Sequence, residues 1–293
     1  MSLLNSERET RTVYARPRSI EEALDALSGG DALALSGGTD IFPAHVGRTI
    51  TRRIVDVSAV QGLRGIAFDG AVYRIGGSTT WSDIQAAHLP LAFDGLKSAA
   101  REVGSVQIQN RGTIAGNLCN ASPAADGIPP LLTLDAGVEL RSVRGSRVIP
   151  LSTFITGYRK TALAADEILT AVMVKAQPSH ARSSFVKLGA RRYLVISILM
   201  AAARIERDHL GRISHAAIAI GAASPVAQRM SLLERDLIGL DQGVAPSSLV
   251  ASRHVEALTP IDDVRATAAY RLEAAITIAG AALDLAAGVP VRG

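Results

Sequence analysis

Between Gln107 and Asp126 the chain reads QIQNRGTIAGNLCNASPAAD, a run rich in Gly, Asn, Ser and Pro with almost no apolar periodicity. Apolar stretches hem it on both sides, REVGSVQI before and IPPLLTLDAGVEL after, and these hold the segment near a core rather than letting it stray into solvent. Any fold of this chain must therefore place polar, side-chain-poor backbone beside an apolar interior. Asn110, Thr113, Asn117, Asn120, Ser122 and Asp126 bring donors and acceptors, and Gly112 and Gly116 leave room for backbone contacts. Such mostly uncharged groups suit a ligand carrying a phosphate chain and a polyol. The alternative is a surface loop that binds nothing.

A second side-chain-poor segment stands earlier. ALAL at 32–35 reads as a short buried strand and runs directly into SGGTD. Two adjacent glycines let backbone N–H groups approach a phosphate, and Thr39 adds a hydroxyl; a tight turn is the competing reading. Neither GxGxxG nor GxxxxGK follows, which excludes the Rossmann and Walker architectures.

Around these loops the pattern predicts an α+β chain. Ser19 before IEEALDAL, with Glu22 three residues on, forms a capping-box pattern for a helix that ends at Gly29-Gly30. RIVDV at 53–57 and VYRIGG at 72–77 read as strands, Ser78 to Ser82 cap a helix through Ile84 and Ala87, and VELRSVRGSRVIPL forms a hairpin around Arg144-Gly145. EILTAVMV at 167–174 continues that sheet. After Pro178 three apolar runs, SSFVKLGAR, LVISILMAAARIE and ISHAAIAIGAA, predict an antiparallel meander. A long terminal helix follows, with Leu272, Ile276, Ala279 and Leu283 on one face.

Composition narrows the function classes. A chain of 293 residues supports two or three compact domains. Lys plus Arg exceeds Asp plus Glu by 31 to 27 with the arginines dispersed, which fits solubility better than nucleic-acid binding. The single cysteine, Cys119, can form no intrachain disulfide and cannot by itself hold an iron–sulfur cluster or a structural zinc. The polar N-terminal segment lacks the features of a secretory signal, and the longest apolar run, Tyr193 to Ile205, is too short to span a bilayer. A cytoplasmic protein with neither nucleic-acid nor membrane partners is expected. The six histidines are scattered and read as structural or solvated.

ALSGGTDI at 34–41, NRGTIAGNLCNASPAADGIPPLLTLDA at 110–136 and FVKLGAR at 185–191, in this order, resemble the FAD-binding subunit of the molybdenum hydroxylases, the medium chain of the xanthine dehydrogenase and carbon monoxide dehydrogenase types. The resemblance implies a FAD-binding domain of the vanillyl-alcohol oxidase or p-cresol methylhydroxylase type over 1–177, in subdomains of about 1–60 and 61–177. It implies a carbon monoxide dehydrogenase flavoprotein-like C-terminal domain, a small antiparallel sheet with helices, over 178–293.

Carried onto this chain, the resemblance implies that Ala34, Leu35, Ser36, Gly37, Gly38, Thr39, Asp40 and Ile41 cradle the FAD pyrophosphate, with Gly37, Gly38 and Thr39 closest. Thr113, Ile114, Ala115, Gly116 and Asn117 would form the facing loop, and Asp126 would hydrogen-bond ribityl or ribose hydroxyls, its alternative role being an N-cap. Lys187 would lie beside the cofactor, where a cation favours the electron-rich reduced flavin; otherwise it is a solvated strand residue. Ile168 would pack near the flavin, and Tyr193 would cover a ring face or join the core. The sequence departs from the family at Gln109, where many relatives have Arg, at Ala115, commonly Gly, and at Val195, often acidic or polar. Ala115 threatens the cofactor only if that position requires positive φ.

The implied function is a FAD-carrying electron-transfer subunit with no catalytic residue for the organic substrate. A molybdopterin-binding large subunit would hydroxylate the substrate, a small subunit with [2Fe-2S] clusters would relay electrons, and an external acceptor would drain them, the whole forming a heterotrimer. A stand-alone flavin-dependent oxidase or reductase, or a cofactor-free assembly protein, are the alternatives.

Overall fold

Ser19 opens the first helix as expected: its side chain accepts from the Glu22 amide at 3.2 Å, while the Glu22 carboxylate receives the amide of Arg18, one residue before the expected partner. The computed structural model describes residues 14–192 and 194–289. Ala23, Leu24 and Leu27 of this helix, α1 (Ile20–Leu27), face a three-stranded parallel sheet of β1 (Tyr14–Ala15), β2 (Ala32–Leu35) and β3 (Arg53–Asp56), in order β1-β3-β2. One short helix, α2 (Ile41–Ala44), follows the SGGTD loop.

A five-stranded antiparallel sheet comes next. Its strands β4 (Ile66–Phe68), β5 (Val72–Gly76), β6 (Gly137–Ser142) and β7 (Gly145–Pro150) are completed by β10 (Ile168–Lys175), which inserts in the middle to give the order β4-β5-β10-β6-β7. The hairpin β6–β7 forms as its sequence predicts, its turn at Val143-Arg144, one residue earlier than expected. Between β5 and β6 lie α3 (Trp81–Ala86), α4 (Asp94–Glu102), α5 (Val106–Gln109), α6 (Ile114–Asn120) and α7 (Ile128–Thr133). After β7 come α8 (Leu151–Phe154) and the small hairpin of β8 (Ile155–Gly157) and β9 (Lys160–Thr161). Trp81, Phe93, Leu96, Ile114, Leu118, Leu131 and Phe154 fill the core between these helices and the sheet.

The meander forms as β11 (Arg182–Leu188), β12 (Leu199–Arg207) and β13 (Ile213–Gly221), with a fourth strand, β14 (Gln228–Arg229), on its edge. The apolar run expected from Tyr193 is strand only from Leu199 onward; Gly189 to Arg192 and Leu194 to Ser197 lie outside the strands, with Leu194 at φ 54°. Strand β12 is apolar from Leu199 to Ala203 because both its faces are covered there. Leu199, Ala201, Ala203 and Ile205 pack toward α9 (Ser231–Asp236) and α10 (Ala268–Ala287), while Met200 and Ala202 meet Ala99 of α4. The buried stripe of α10 centres on Ala275, Ile278, Ala279, Ala282 and Leu283; Leu272 and Ile276 lie at its half-buried margin.

Two arginines tie the C-terminal sheet to the end of α7. Buried Arg204 donates to the Thr133 carbonyl at 2.8 Å and also meets Gln177, Glu206 and Asp135. Arg229 donates to the Leu132 carbonyl at 2.9 Å and to Asp135 at 2.8 Å. Cations at the C-terminal carbonyls of a helix satisfy orphan acceptors and complement its dipole. No helix among the described residues is long and apolar enough to cross a membrane.

Candidate functional site

Strand β2 ends at buried Leu35, whereas Ala34 is exposed, and the chain then bends away through Ser36 to Asp40. Gly38 has φ 72°, the left-handed region that glycine tolerates best. Gly37 has another reason to be glycine: a Cβ there would lie 2.0 Å from the Arg111 carbonyl oxygen and 2.7 Å from its carbon. The first loop is thus pressed against the start of the second. On the other side of the contact, a Cβ on Gly112 would lie 3.4 Å from both Thr39 Oγ1 and Trp81 Cδ1. Two segments some seventy residues apart meet backbone to backbone.

A third segment that sequence reasoning left out supports both. Gly77 to Thr80 leave β5 beside the second loop: the amides of Ile114 and Ala115 donate to the carbonyls of Thr79 and Gly77, and Ser78 Oγ lies 3.1 Å from Ser36 Oγ. The signal was the glycine pair ending VYRIGG, since a Cβ on Gly77 would lie 2.4 Å from the Leu169 carbonyl oxygen.

The second loop is not a loop throughout. Thr113 caps α6, its hydroxyl accepting from the Gly116 amide at 3.1 Å, and Ile114 to Asn117 form the first helical turn. Ala115 is absent from the positive-φ residues, so its methyl meets no backbone objection. The amides of Ile114, Ala115, Gly116 and Asn117 are all committed within the protein, which corrects the expectation that this segment offers backbone donors. Those of Gly37, Gly38, Thr39 and Asp40 have no acceptor among the described residues. From the second segment the free groups are side chains: Asn117 Oδ1 is buried without a hydrogen-bond partner. Asn110 and Asn120 are occupied by Ser82 and Arg159.

Gly127 carries the site onward. A Cβ there would lie 2.4 Å from Trp81 Cη2 and 2.8 Å from Asn117 Oδ1, so the turn at Asp126 closes directly over Asn117. Asp126 does not cap α7, whose N-cap is Gly127 without a side-chain bond; the N-cap alternative fails. Instead it is buried, receiving Lys187 Nζ at 2.8 Å on Oδ2 and Ser197 Oγ at 2.6 Å on Oδ1. The Lys187 side chain is only 7% exposed and also donates to the Glu102 carbonyl, so it is no solvated strand residue. Burial pushes the Asp126 carboxyl above the ordinary carboxylate range, and Lys187 and Ser197 pull against that rise. A cavity of about 390 Å³ opens beside Lys187, bordered by Ser98, Glu102, Phe185, Arg191 and Arg192. Another of about 640 Å³ opens beside Asp40 and Ile41, with His45, Arg52 and Arg159 on its walls.

Not every expected residue joins this arrangement. The Ile168 side chain is buried with α1, β2 and β3 and belongs to that core rather than to the cleft. Tyr193 lies outside the described residues. Gln109, a position where the sequence departs from the expected Arg, is buried and its amide bridges Gln85 to the Arg101 carbonyl. Val195 packs back on Gly189, where a Cβ would lie 2.4 Å from Val195 Cγ1. The described residues hold no cluster of metal-binding side chains.

The donor set fits a flavin dinucleotide: a run of uncommitted backbone N–H groups suits phosphate, the orphaned Asn117 carbonyl oxygen needs a donor such as a hydroxyl, and a cation sits further along. Comparison with known proteins agrees. Residues 7–175 match the family described as FAD binding domain in molybdopterin dehydrogenase, and 184–285 match the CO dehydrogenase flavoprotein C-terminal domain. The chain is 33% identical to the xanthine dehydrogenase FAD-binding subunit of Escherichia coli O157:H7, over 88% of this chain and 90% of that one. It is 28% identical to the carbon monoxide dehydrogenase medium chain of Hydrogenophaga pseudoflava, over 94% and 97%. A solved structure of reconstituted CO dehydrogenase from Oligotropha carboxidovorans superposes with a TM-score of 0.86 at 25% identity, over 94% of this chain and 98% of that one. The chain belongs to the family of FAD-binding subunits of molybdenum hydroxylases, the oxidoreductases of the xanthine and carbon monoxide dehydrogenase type.

Proposed function

We propose that this subunit takes electrons from [2Fe-2S] clusters of a small partner subunit, fed by a molybdopterin-binding large subunit, and passes them to an external acceptor in the cytoplasm. Bound FAD supplies the chemistry, accepting electrons singly and releasing them as a pair. The observation that carries the reading is the backbone cradle: four amides from Gly37 to Asp40, uncommitted among the described residues and pressed against the 111–112 turn, with the orphaned Asn117 oxygen on the segment that follows that turn.

In this reading Ala34 to Ile41 hold the pyrophosphate by backbone donors, and Thr113 and Asn117 contribute side chains rather than amides. Asp126 and Lys187 lie toward the flavin ring, and the cavities beside Asp40 and beside Lys187 take the two ends of the dinucleotide. A division near residue 177 puts the cradle in an N-terminal FAD-binding domain and Lys187 in a C-terminal domain, so the domains share the site.

Purification of the chain with a recorded visible spectrum tests this. A flavin spectrum with turnover only after the partner subunits are added is the expected result. A colourless protein that takes up no FAD would remove the cradle, and turnover by the chain alone would favour the oxidase.

A further inference from the structure

The Asp126–Lys187 pair has a further partner in Ser197, which stands just before β12. Between β11 and β12, Gly189, Arg191 and Arg192 border the 390 Å³ cavity, and Leu194 and Ile196 are exposed. The residues leading into β12 are fixed firmly. Arg265 Nη1 donates to the Ser197 carbonyl at 3.2 Å, and Arg271 Nη1, on a side chain 2% exposed, donates to the Ile198 carbonyl at 2.6 Å and to Ala222 at 2.9 Å. Asp263 receives both guanidinium groups. Ser197 itself is 1% exposed, and its hydroxyl has the Asp126 carboxylate as partner at 2.6 Å.

Asp126 therefore has two side-chain donors from two different stretches of chain. One is the Lys187 ammonium; the other is neutral Ser197, which holds the carboxylate without adding charge. A buried carboxylate keeps its negative form only when its oxygens are satisfied. Glu102, beside Lys187, works against that form, and Arg191 and Arg192 border the same cavity. Ser197 is then the second of the two side chains that hold Asp126 in the form that offsets the charge of Lys187.

We propose that Ser197 is a positioning residue that tunes the flavin through Asp126: by holding the carboxylate on Lys187 it sets the net charge presented to the isoalloxazine ring, and with it the reduction potential. This rests on the reading above that the pair lies beside the cofactor. With the hydroxyl removed, Asp126 is held ionised by one donor fewer, the Lys187 charge is less completely offset, and the reduced flavin is favoured.

The test is the midpoint potential of FAD in the full-length chain, measured by spectroscopic redox titration in wild type, Ser197→Ala, Ser197→Thr and Lys187→Met. Expected are a shift to higher potential for Ser197→Ala, return to the wild-type value for Ser197→Thr, and a shift to lower potential for Lys187→Met. Ser197→Cys, which keeps volume while weakening the donor, shifts upward as well and serves if the alanine variant does not fold. An unchanged or lowered potential in both Ser197→Ala and Ser197→Cys, with Lys187→Met shifted, overturns the role of Ser197 and leaves the cofactor reading intact. No shift in any variant overturns both.

Discussion

Alanine at position 37 puts the cradle to its hardest test. The added Cβ would lie 2.0 Å from the Arg111 carbonyl oxygen. A carbon–oxygen contact settles at about 3.3 Å, so the two segments must part by about 1.3 Å. The obstacle is backbone rather than the tip of a side chain, which places the cost at the upper end of overpacking, about 3 kcal/mol. The loop can move without dragging the core, because residues 36–41 are at least partly exposed while Ala23, Leu27 and Val55 beneath are buried. The loss therefore falls on cofactor affinity, weakening FAD binding about 100-fold. Titration of the apoprotein with FAD, followed by flavin fluorescence, measures this, and a denaturant midpoint close to wild type locates the damage in the cradle. Gly38→Ala is the comparison. Its Cβ would meet the exposed Phe42 ring at 2.5 Å, which can swing aside, leaving left-handed backbone strain of about 1 kcal/mol and a loss of affinity nearer fivefold. Equal affinity in wild type and Gly37→Ala would refute the claim that these segments grip one ligand.

Further outcomes follow from the charged groups. Lys187→Met lowers the flavin potential by removing a cation from its surroundings; an unchanged potential, read by redox titration, removes Lys187 from the cofactor. Asp126→Asn leaves a buried ammonium without its counter-charge and destabilises the chain by about 3 kcal/mol, visible in urea unfolding. Lys187→Met costs less by the same measurement, since burial already favours the neutral Asp126 carboxyl. Arg265 and Arg271 hold the Asp263 carboxyl well below the usual range, so its contribution is complete above the unfolded value near pH 3.9 and fades as pH falls toward the folded one. Asp263→Asn accordingly shows a shallower loss of thermal stability than wild type below about pH 4; parallel curves would count against that linkage.

Much of the fold is legible because its signals are local. The Ser19 cap, the β6–β7 hairpin and the meander after Pro178 each depend on neighbours within a few residues, and each forms as its pattern predicts. The segment from Gln107 to Asp126 hid two short helices, because α5 and α6 are too brief for an apolar stripe and their caps, Ser105 and Thr113, sit among many similar polar residues. Strand from Tyr193 was overextended for the opposite reason: an apolar run says nothing of the Gly189–Val195 contact that bends it into a loop. At the site, glycines 37, 38 and 112 were legible from spacing and resemblance. Ser197, Arg204 and Arg271 were not, since their partners lie some seventy residues away and no periodicity reports them.

The position of β10 has a consequence for how the protein acquires its ligand. This strand is last of the five in sequence yet central in the sheet, and through Thr170 it accepts the Gly77 amide at 2.8 Å. Gly77 in turn supports the start of α6 through Ala115. Until residue 175 has left the ribosome, β5 and β6 have no strand to join them and the shelf under the second segment has no anchor. On the proposed reading of the cradle, a distant segment must be in place before the chain can hold flavin.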